Sequence, residues 1–221
     1  MENLWLILIA AISYLLGSIP FSYIVSKRYG KNLFEEGSGN VGAMNTWRAT
    51  KKISPFILSL AGDGGKAALA IFLCKFLSFL GYNLWVGIAV AGFFVILGHN
   101  YPFSLKFKGG RGLACLVGIL LVLNWLLLFI GLGVVLFSIF AVEFLLKRKI
   151  ILEGTLKQRF KELFLIIGSQ VIGRVAGIIL AIVSVYFFDS MTFWQILPAL
   201  ALALIKHINI LKEPESRRRI D

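Results

Sequence analysis

Residues 113–146 read LACLVGILLVLNWLLLFIGLGVVLFSIFAVEFLL and contain one charged side chain, that of Glu143. A helix that crosses the hydrocarbon core of a bilayer needs about 20 apolar residues, so this stretch is too long for a single span. Asn124-Trp125 near its middle supplies a polar residue followed by an aromatic of the kind enriched at membrane interfaces. The sequence therefore predicts two membrane helices that meet at a turn there.

Five further apolar runs lie on either side of this stretch. The seven predicted spans are Leu4–Val25, Ile53–Leu80, Leu84–Tyr101, Leu113–Asn124, Trp125–Leu146, Leu163–Phe188 and Phe193–Ile210. Hydrophobic residues make up 58% of the 221 residues, above the roughly 45–50% of a typical soluble domain. We predict an all-α integral membrane protein, a bundle of seven transmembrane helices in a single domain over residues 1–221. Five or six spans is the alternative if one run is re-entrant.

The basic residues alternate along the chain between one connection and the next. All of the 23 lysines and arginines except Lys66, Lys75 and Arg174 fall in four segments, 26–52, 104–112, 147–162 and the tail from residue 206. The connections near 81–84, 124 and 187–193 carry none. Because cytoplasmic loops are enriched in lysine and arginine, we predict that these four segments and the C-terminus are cytoplasmic and the N-terminus is outside.

The formal net charge of +12 indicates that the protein's binding partners are anionic. In a soluble protein such a charge would indicate nucleic acid. Here the basic residues lie between apolar runs, which favours membrane lipid headgroups and phosphate-bearing substrates, and we predict no nucleic-acid partner. The two cysteines, Cys74 and Cys115, lie in apolar surroundings and have neither disulfide nor metal-site spacing, so no metal is predicted.

The first glycine cluster, residues 36–48, reads EGSGNVGAMNTWR and follows the first predicted span. Its glycines permit unusual backbone angles and close approach of a ligand, and successive N–H groups in such a turn can cradle an anion. The candidate phosphate-binding residues are Ser38, Gly39, Asn40 and Gly42, and Asn45 and Arg48 add side-chain donors. A flexible loop capped by serine and asparagine is the simpler alternative.

The second glycine cluster, residues 106–112, reads KFKGGRG and directly precedes an apolar helix. A glycine-rich turn that leads into a helix N-terminus is a common anion site, and neighbouring cations strengthen it. We predict that Lys108, Gly109, Gly110 and Arg111 bind phosphate. Juxtamembrane contact with lipid headgroups is the alternative for this cluster.

Four ionisable residues lie close to these clusters in the predicted topology. Asp63 and Lys66 are three residues apart in one apolar run, so they share a helix face. Charges inside a membrane helix are costly and indicate function, although a mutually neutralising structural pair is the alternative. His99 ends the third span, and His207 lies with Asn209 where the last span meets the cytoplasm.

All these residues lie on the predicted cytoplasmic side, although they come from different connections. They could converge into one pocket rich in cations and N–H donors, suited to a phosphorylated substrate beside the lipid phase. A transporter of an anion or a lipid precursor is the rival class, and it predicts polar residues in both halves of the membrane. The outer connections are nearly devoid of them, which favours a one-sided enzyme.

At these residues the chain resembles the bacterial acyl-phosphate:glycerol-3-phosphate acyltransferases, a family of membrane enzymes. The matching stretches are Ser38–Ala43 with Asn45 and Arg48, Asp63 with Lys66, Gly98–Pro102, Phe107–Gly112 and, more weakly, His207 with Asn209-Ile210. They follow in the same order over nearly the whole chain.

The resemblance implies seven membrane helices in the bacterial cytoplasmic (inner) membrane and an active site on the cytoplasmic side. It implies transfer of a fatty acyl group from acyl phosphate to the 1-hydroxyl of glycerol 3-phosphate. The products would be lysophosphatidic acid and phosphate, in the first step of phospholipid synthesis. No cofactor and no obligate protein partner are implied.

The chain departs from the family pattern at several positions. Met44 and Cys115 stand where the family usually has threonine, and Arg111 stands where it usually has lysine. Segment 147–168 is longer than is typical. These differences leave open a divergent paralogue that acts on another phosphorylated acceptor or has reduced activity.

An acyl phosphate is already activated, so the enzyme has to place the acceptor hydroxyl against the carbonyl and stabilise the developing charge. The predicted catalytic residues are Ser38, Asn45, Arg48, His99, Lys108, His207 and Asn209. The predicted substrate-binding residues are Ser38, Gly39, Asn40, Gly42, Arg48, Asp63, Lys66, Lys108, Gly109, Gly110 and Arg111. His99 or His207 is the candidate general base, and the substrate phosphate is the alternative proton acceptor.

Overall fold

The computed structural model describes residues 2–145 and 171–211, together with positions 155, 158–159, 163 and 166–167. The two long ranges form nine α-helices and no strand. The helices are α1 (Glu2–Gly17), α2 (Phe21–Arg28), α3 (Ala43–Thr50), α4 (Ile53–Phe76), α5 (Leu84–Asn100), α6 (Leu113–Leu123), α7 (Trp125–Leu145), α8 (Val171–Phe188) and α9 (Ser190–Leu211). Most of the predicted connector 147–162, and most of 163–170, lie outside the described residues.

Five stretches of the described chain are long and apolar enough to cross a membrane. They are Glu2–Arg28, Ile53–Leu80, Leu84–Leu105, Trp125–Leu145 and Ser190–Ile208, and Leu113–Leu123 and Ile172–Phe188 are shorter apolar helices. Large apolar side chains cover the outside of the bundle, and Phe137, Phe144 and Phe187 are each more than 70% exposed. The prediction of an all-α membrane protein is confirmed, while the count of seven spans stays a prediction.

The first apolar run is continuous in the sequence, but the structure divides it into two helices. α1 ends at Gly17 and α2 begins at Phe21, directly after Pro20. Proline has no N–H to donate and its ring clashes with the preceding turn of a helix, so it separates the two segments. The single helix predicted over Leu4–Val25 is therefore wrong in this detail.

The turn predicted at Asn124-Trp125 is confirmed, since α6 ends at Leu123 and α7 begins at Trp125. The Asn124 side chain accepts a hydrogen bond from Leu127 N at 3.2 Å, as an N-cap residue does. Its amide also donates to Asp189 Oδ2 at 3.2 Å, which ties the α6–α7 corner to the α8–α9 corner.

The last helix begins three residues before the predicted start at Phe193, because Asp189 caps it. Thr192 N donates to Asp189 Oδ1 at 3.0 Å and the Thr192 hydroxyl donates to Asp189 Oδ2 at 2.7 Å. The Thr192 N–H is the main reason why the pKa of Asp189 lies below its usual value. A polar cap thus fixes this end of α9.

Glycines bring the two helices that flank the second glycine cluster into close contact with α1 and α4. A Cβ added at Gly98 on α5 would collide with Tyr14 O on α1, and one added at Gly118 on α6 would collide with Gly64 O on α4. Small residues let membrane helices approach at the backbone. The end of α5 and the start of α6 are thereby held against the N-terminal helices.

Candidate active site

The first glycine cluster is organised by the buried side chain of Asn45. Its amide nitrogen donates to Leu33 O at 3.1 Å and to Glu36 O at 3.0 Å, and its oxygen accepts from Ser38 N at 2.9 Å. Gly37 has φ +55°, in the left-handed region that favours glycine, and a Cβ there would collide with the Asn45 amide oxygen. The cluster is therefore a hydrogen-bonded turn rather than a loosely capped loop.

The second glycine cluster folds back onto the end of α5. Gly109 N donates to Asn100 O at 3.2 Å, and Gly110 N donates to His99 O at 3.0 Å. A Cβ at Gly109 would collide with His99 O, and one at Gly110 would collide with His99 Nε2. Glycine is required at both positions because α5 lies directly underneath.

Four of the N–H groups that were expected to cradle an anion donate hydrogen bonds within the protein instead. Ser38 N donates to the Asn45 side chain, Gly39 N donates to Glu36 O at 3.1 Å, and the Gly109 and Gly110 N–H groups donate to α5. A donor already paired within the protein offers little to a ligand. The clusters supply shape and side chains, and the charge comes from lysine and arginine.

The two clusters line one open pocket of about 300 Å³, the size expected of a small-molecule site. The described residues that line it are Phe34, Ser38, Gly39, Asn40, Tyr101, Phe107, Lys108, Gly109, Gly110, Arg111 and Lys206. We call it the cationic pocket. It contains seven of the predicted site residues, from both clusters, and so confirms that the two clusters converge.

Arg48 lies on α3 behind the first cluster and does not line the pocket. Its guanidinium is buried, and burial together with the positive charge of Arg111 lowers the pKa of Arg48 to about 10. The side chain remains charged at neutral pH. Gly42, also predicted to bind substrate, lies outside the lining and is the N-cap of α3.

Asp63 and Lys66 form a closed polar network in the core beside the pocket. Asp63 Oδ1 lies 3.0 Å from Lys66 Nζ, and Asp63 Oδ2 accepts from the Ser22 hydroxyl at 2.6 Å. Lys66 also donates to Ile19 O at 2.6 Å, beside the Pro20 break. Neither residue lines the pocket, and the geometry is that of the structural pair considered as the alternative. Cys115, which stands where the resembled family usually has threonine, donates its thiol hydrogen to Asp63 O at 3.3 Å.

The two histidines lie next to the pocket but are not part of its lining. His99 Nδ1 is 3.5 Å from Asp63 Oδ1, and the ring lies beneath Gly110. His207 is 1% exposed, and its Nδ1 is 2.8 Å from Ala203 O one turn earlier in α9. The side chain of Asn209 lies outside the described part of the chain.

Sequence reasoning missed four side chains of the pocket, those of Phe34, Tyr101, Phe107 and Lys206. The signal for Lys206 was its place next to His207, where it was counted only toward topology. Arg174 on α8, to which no role was assigned, interacts electrostatically with Arg48 and Arg111. In the described residues, no three His, Cys, Asp or Glu side chains lie close enough together to hold a metal ion.

Two solved structures share this fold over nearly the whole chain. They are crystal structures of PlsY (YgiH), described as an integral membrane glycerol 3-phosphate acyltransferase, in a glycerol 3-phosphate form and a lysophosphatidic acid form. The TM-scores are 0.70 and 0.69 at 22% and 23% identity, with 97% of this chain and 94% of each solved chain covered.

Sequence comparison gives the relationship more directly. A glycerol-3-phosphate acyltransferase of Wolbachia sp. subsp. Brugia malayi is 31% identical over 214 residues, 96% of each chain. One of Jannaschia sp. (strain CCS1) is 44% identical over 119 residues, a match that spans about half of each protein, 53% of this chain and 56% of the relative. The sequence model of the family described as glycerol-3-phosphate acyltransferase matches residues 7–213. This chain therefore belongs to the glycerol-3-phosphate acyltransferase family.

Proposed function

We propose that the chain transfers a fatty acyl group from acyl phosphate to the 1-hydroxyl of glycerol 3-phosphate, giving lysophosphatidic acid and inorganic phosphate. The observation that carries the proposal is the cationic pocket, in which Lys108, Arg111 and Lys206 from two distant parts of the chain line one space. Both substrates bring a phosphate to the reaction. Family membership and the resemblance to enzymes that use acyl phosphate support this choice of substrates.

The reaction needs positioning more than a protein nucleophile. The 1-hydroxyl oxygen attacks the acyl carbonyl carbon, the bond from that carbon to the phosphate oxygen breaks, and the hydroxyl proton leaves. Lys108 and Arg111 are assigned to the phosphates, and the side chains of Ser38 and Asn40 are assigned as donors to the developing oxyanion. Asn45 and Arg48 support this wall from behind.

The departing phosphate is the preferred proton acceptor. Neither His99 nor His207 lines the pocket, and each has its Nδ1 directed at an oxygen of the protein. Phosphate becomes more basic as it leaves the reacting carbon, and it is then close enough to take the hydroxyl proton. In this assignment His99 and His207 shape the pocket, and a covalent acyl intermediate on Ser38 is not needed.

The predicted topology completes the proposal. Seven membrane helices, an outside N-terminus and a cytoplasmic C-terminus would place the pocket on the cytoplasmic face of a bacterial inner membrane. The basic segments support this orientation, because 26–52, 104–112 and Lys206 all lie at the end of the bundle that holds the pocket.

The test is turnover by the purified protein in detergent with palmitoyl phosphate and glycerol 3-phosphate. We expect phosphate release that depends on both substrates, and lysophosphatidic acid in equal amount by mass spectrometry. Transfer only to another phosphorylated alcohol would identify a divergent paralogue. No transfer to any acceptor, with anion flux in proteoliposomes, would favour the transporter.

A further inference from the structure

Lys206 and Tyr101 form a pair at the wall of the cationic pocket, and neither is among the predicted site residues. Lys206 Nζ lies 4.3 Å from the centroid of the Tyr101 ring, within the roughly 6 Å over which a cation is attracted to an aromatic face. Both side chains line the pocket and both are half-buried. The ammonium group is thereby held at the wall rather than extended into solvent.

The backbone of Tyr101, whose ring holds this lysine, is anchored by two hydrogen bonds. Tyr101 follows the last residue of α5, and its carbonyl accepts a hydrogen bond from the Tyr14 hydroxyl of α1 at 3.0 Å. Its N–H donates to Leu97 O at 2.8 Å, which continues the helix by one bond. A lysine loses side-chain freedom when it binds a ligand, and a lysine already held at the wall loses less.

The placement of Lys206 on α9 matters electrostatically. It adds a third positive side chain to a lining that contains Lys108 and Arg111, and an anion in that open space is attracted to all three. A lysine ammonium is a point charge with three donors, well suited to phosphate oxygens.

We propose that Lys206 is a phosphate-binding residue of the pocket and that Tyr101 is the residue that positions its ammonium. The ligand is a phosphate group, on either glycerol 3-phosphate or the acyl phosphate, so the inference rests on the proposed function and deepens it. The last helix thus supplies a substrate contact through Lys206, next to the buried His207.

The experiment measures KM and kcat for each substrate in Lys206→Gln, Lys206→Arg, Tyr101→Leu and Tyr101→Phe. Loss of one charge-assisted hydrogen bond corresponds to about a ten- to hundredfold rise in KM, and we expect Lys206→Gln to show it with kcat little changed. A rise for glycerol 3-phosphate assigns Lys206 to the acceptor, and a rise for palmitoyl phosphate assigns it to the donor. Lys206→Arg should restore most of the affinity.

The tyrosine variants separate positioning from chemistry. Tyr101→Phe keeps the ring and should match the wild type, whereas Tyr101→Leu should raise the same KM by a smaller factor. Lys52→Gln is the matched control, since Lys52 Nζ lies 5.4 Å from the Tyr29 ring and neither residue lines the pocket. Thermal unfolding in detergent checks that every variant is folded.

Two results would overturn the inference. In one, Lys206→Gln leaves both KM values within about twofold of wild type, as expected if the lysine contacts only lipid headgroups. In the other, kcat falls while both KM values stay unchanged. If wild type makes no lysophosphatidic acid, the proposed function fails, and equilibrium binding of labelled glycerol 3-phosphate and inorganic phosphate to wild type and Lys206→Gln tests the inference separately.

Discussion

Two groups of basic side chains lie side by side at one end of the bundle, in opposite electrostatic settings. Lys66 is buried in the core, 3.0 Å from the Asp63 carboxylate. Lys108, Arg111 and Lys206 line an open pocket with no carboxylate among its described lining residues. Lys66 has its countercharge in the protein, whereas the ligand proposed for the second group is a substrate phosphate. We therefore expect the basic residue of the first group to serve stability and those of the second to serve binding.

Of the variants that distinguish the two groups, Asp63→Asn is expected to have the largest effect on the free energy of unfolding. This change leaves the Lys66 ammonium buried without its carboxylate, and removing one partner of a buried ion pair typically costs about 3–5 kcal/mol. We expect a loss of that order in the free energy of unfolding, measured by thermal or denaturant unfolding in detergent. Ser22→Ala removes only one hydrogen bond to Asp63 and should cost less. Equal stability of Asp63→Asn and wild type would contradict the structural role of the pair.

Lys108→Ala is expected to lower activity and to leave stability nearly unchanged, the reverse of Asp63→Asn. Loss of a donor that stabilises developing charge typically lowers kcat about 10²- to 10³-fold, and the exposed position of Lys108 predicts little change in stability. Phosphate release from palmitoyl phosphate and the thermal midpoint are measured on the same preparation. Lys106→Ala is the control, because Lys106 is adjacent but outside the pocket lining. Near-normal turnover by Lys108→Ala would remove Lys108 from the site.

Asn45 shares a property with each group, since it is buried like Asp63 but supports the wall of the pocket. We therefore expect its loss to affect both stability and activity. Asn45→Ala leaves the Leu33 and Glu36 carbonyls and the Ser38 N–H without their partner, and an unsatisfied buried group costs about 1–3 kcal/mol. We expect a loss of stability of that order and roughly a tenfold fall in kcat/KM, since the wall that carries Ser38 loosens. Asn45→Asp should also be impaired, because a carboxylate cannot donate to the two carbonyls.

The smallest effect is expected at the opposite end of the molecule, at Asp189. Its pKa is lowered in the folded protein, so its stabilising contribution is present above the unfolded-state pKa of about 3.9 and is lost as the pH falls through the lower folded value. Asp189→Ala removes the N-cap and should cost about 1 kcal/mol at pH 7. The difference from wild type should shrink below about pH 4, as followed by unfolding at several pH values, while acyl transfer at pH 7 stays unchanged.

The sequence predicted those features that depend on composition along the chain. Runs of apolar residues located the spans, and Asn124-Trp125 marked the α6–α7 turn. Pro20 was a readable signal for the break between α1 and α2, yet it lies inside a run whose average hydropathy is high. Asp189 likewise precedes the predicted start of the last helix at Phe193. Because Asp189 caps the helix, the helix begins earlier in the chain, at Ser190.

The site was predictable in outline and not in detail, for a physical reason. The glycine pattern indicated the two clusters that line the cationic pocket. The pairing of Ser38 N, Gly109 N and Gly110 N within the protein depends on what packs behind each turn. Only the contacts in the folded protein distinguish Asp63 and Lys66, which pair with each other, from Lys108, which lines the pocket. Lys206 belongs to the pocket because α9 packs against α5, a contact that no local pattern reports.

The cationic pocket also constrains when the protein can become active during its synthesis. One wall comes from residues 34–40, another from 101–111, and Lys206 comes from the last helix. A nascent chain that has released α1 to α6 into the membrane still lacks the lysine that α9 carries. With the role proposed for Lys206, full affinity for phosphate requires that the final helix has left the insertion machinery and docked, and we expect a chain truncated before α9 to bind its substrates poorly.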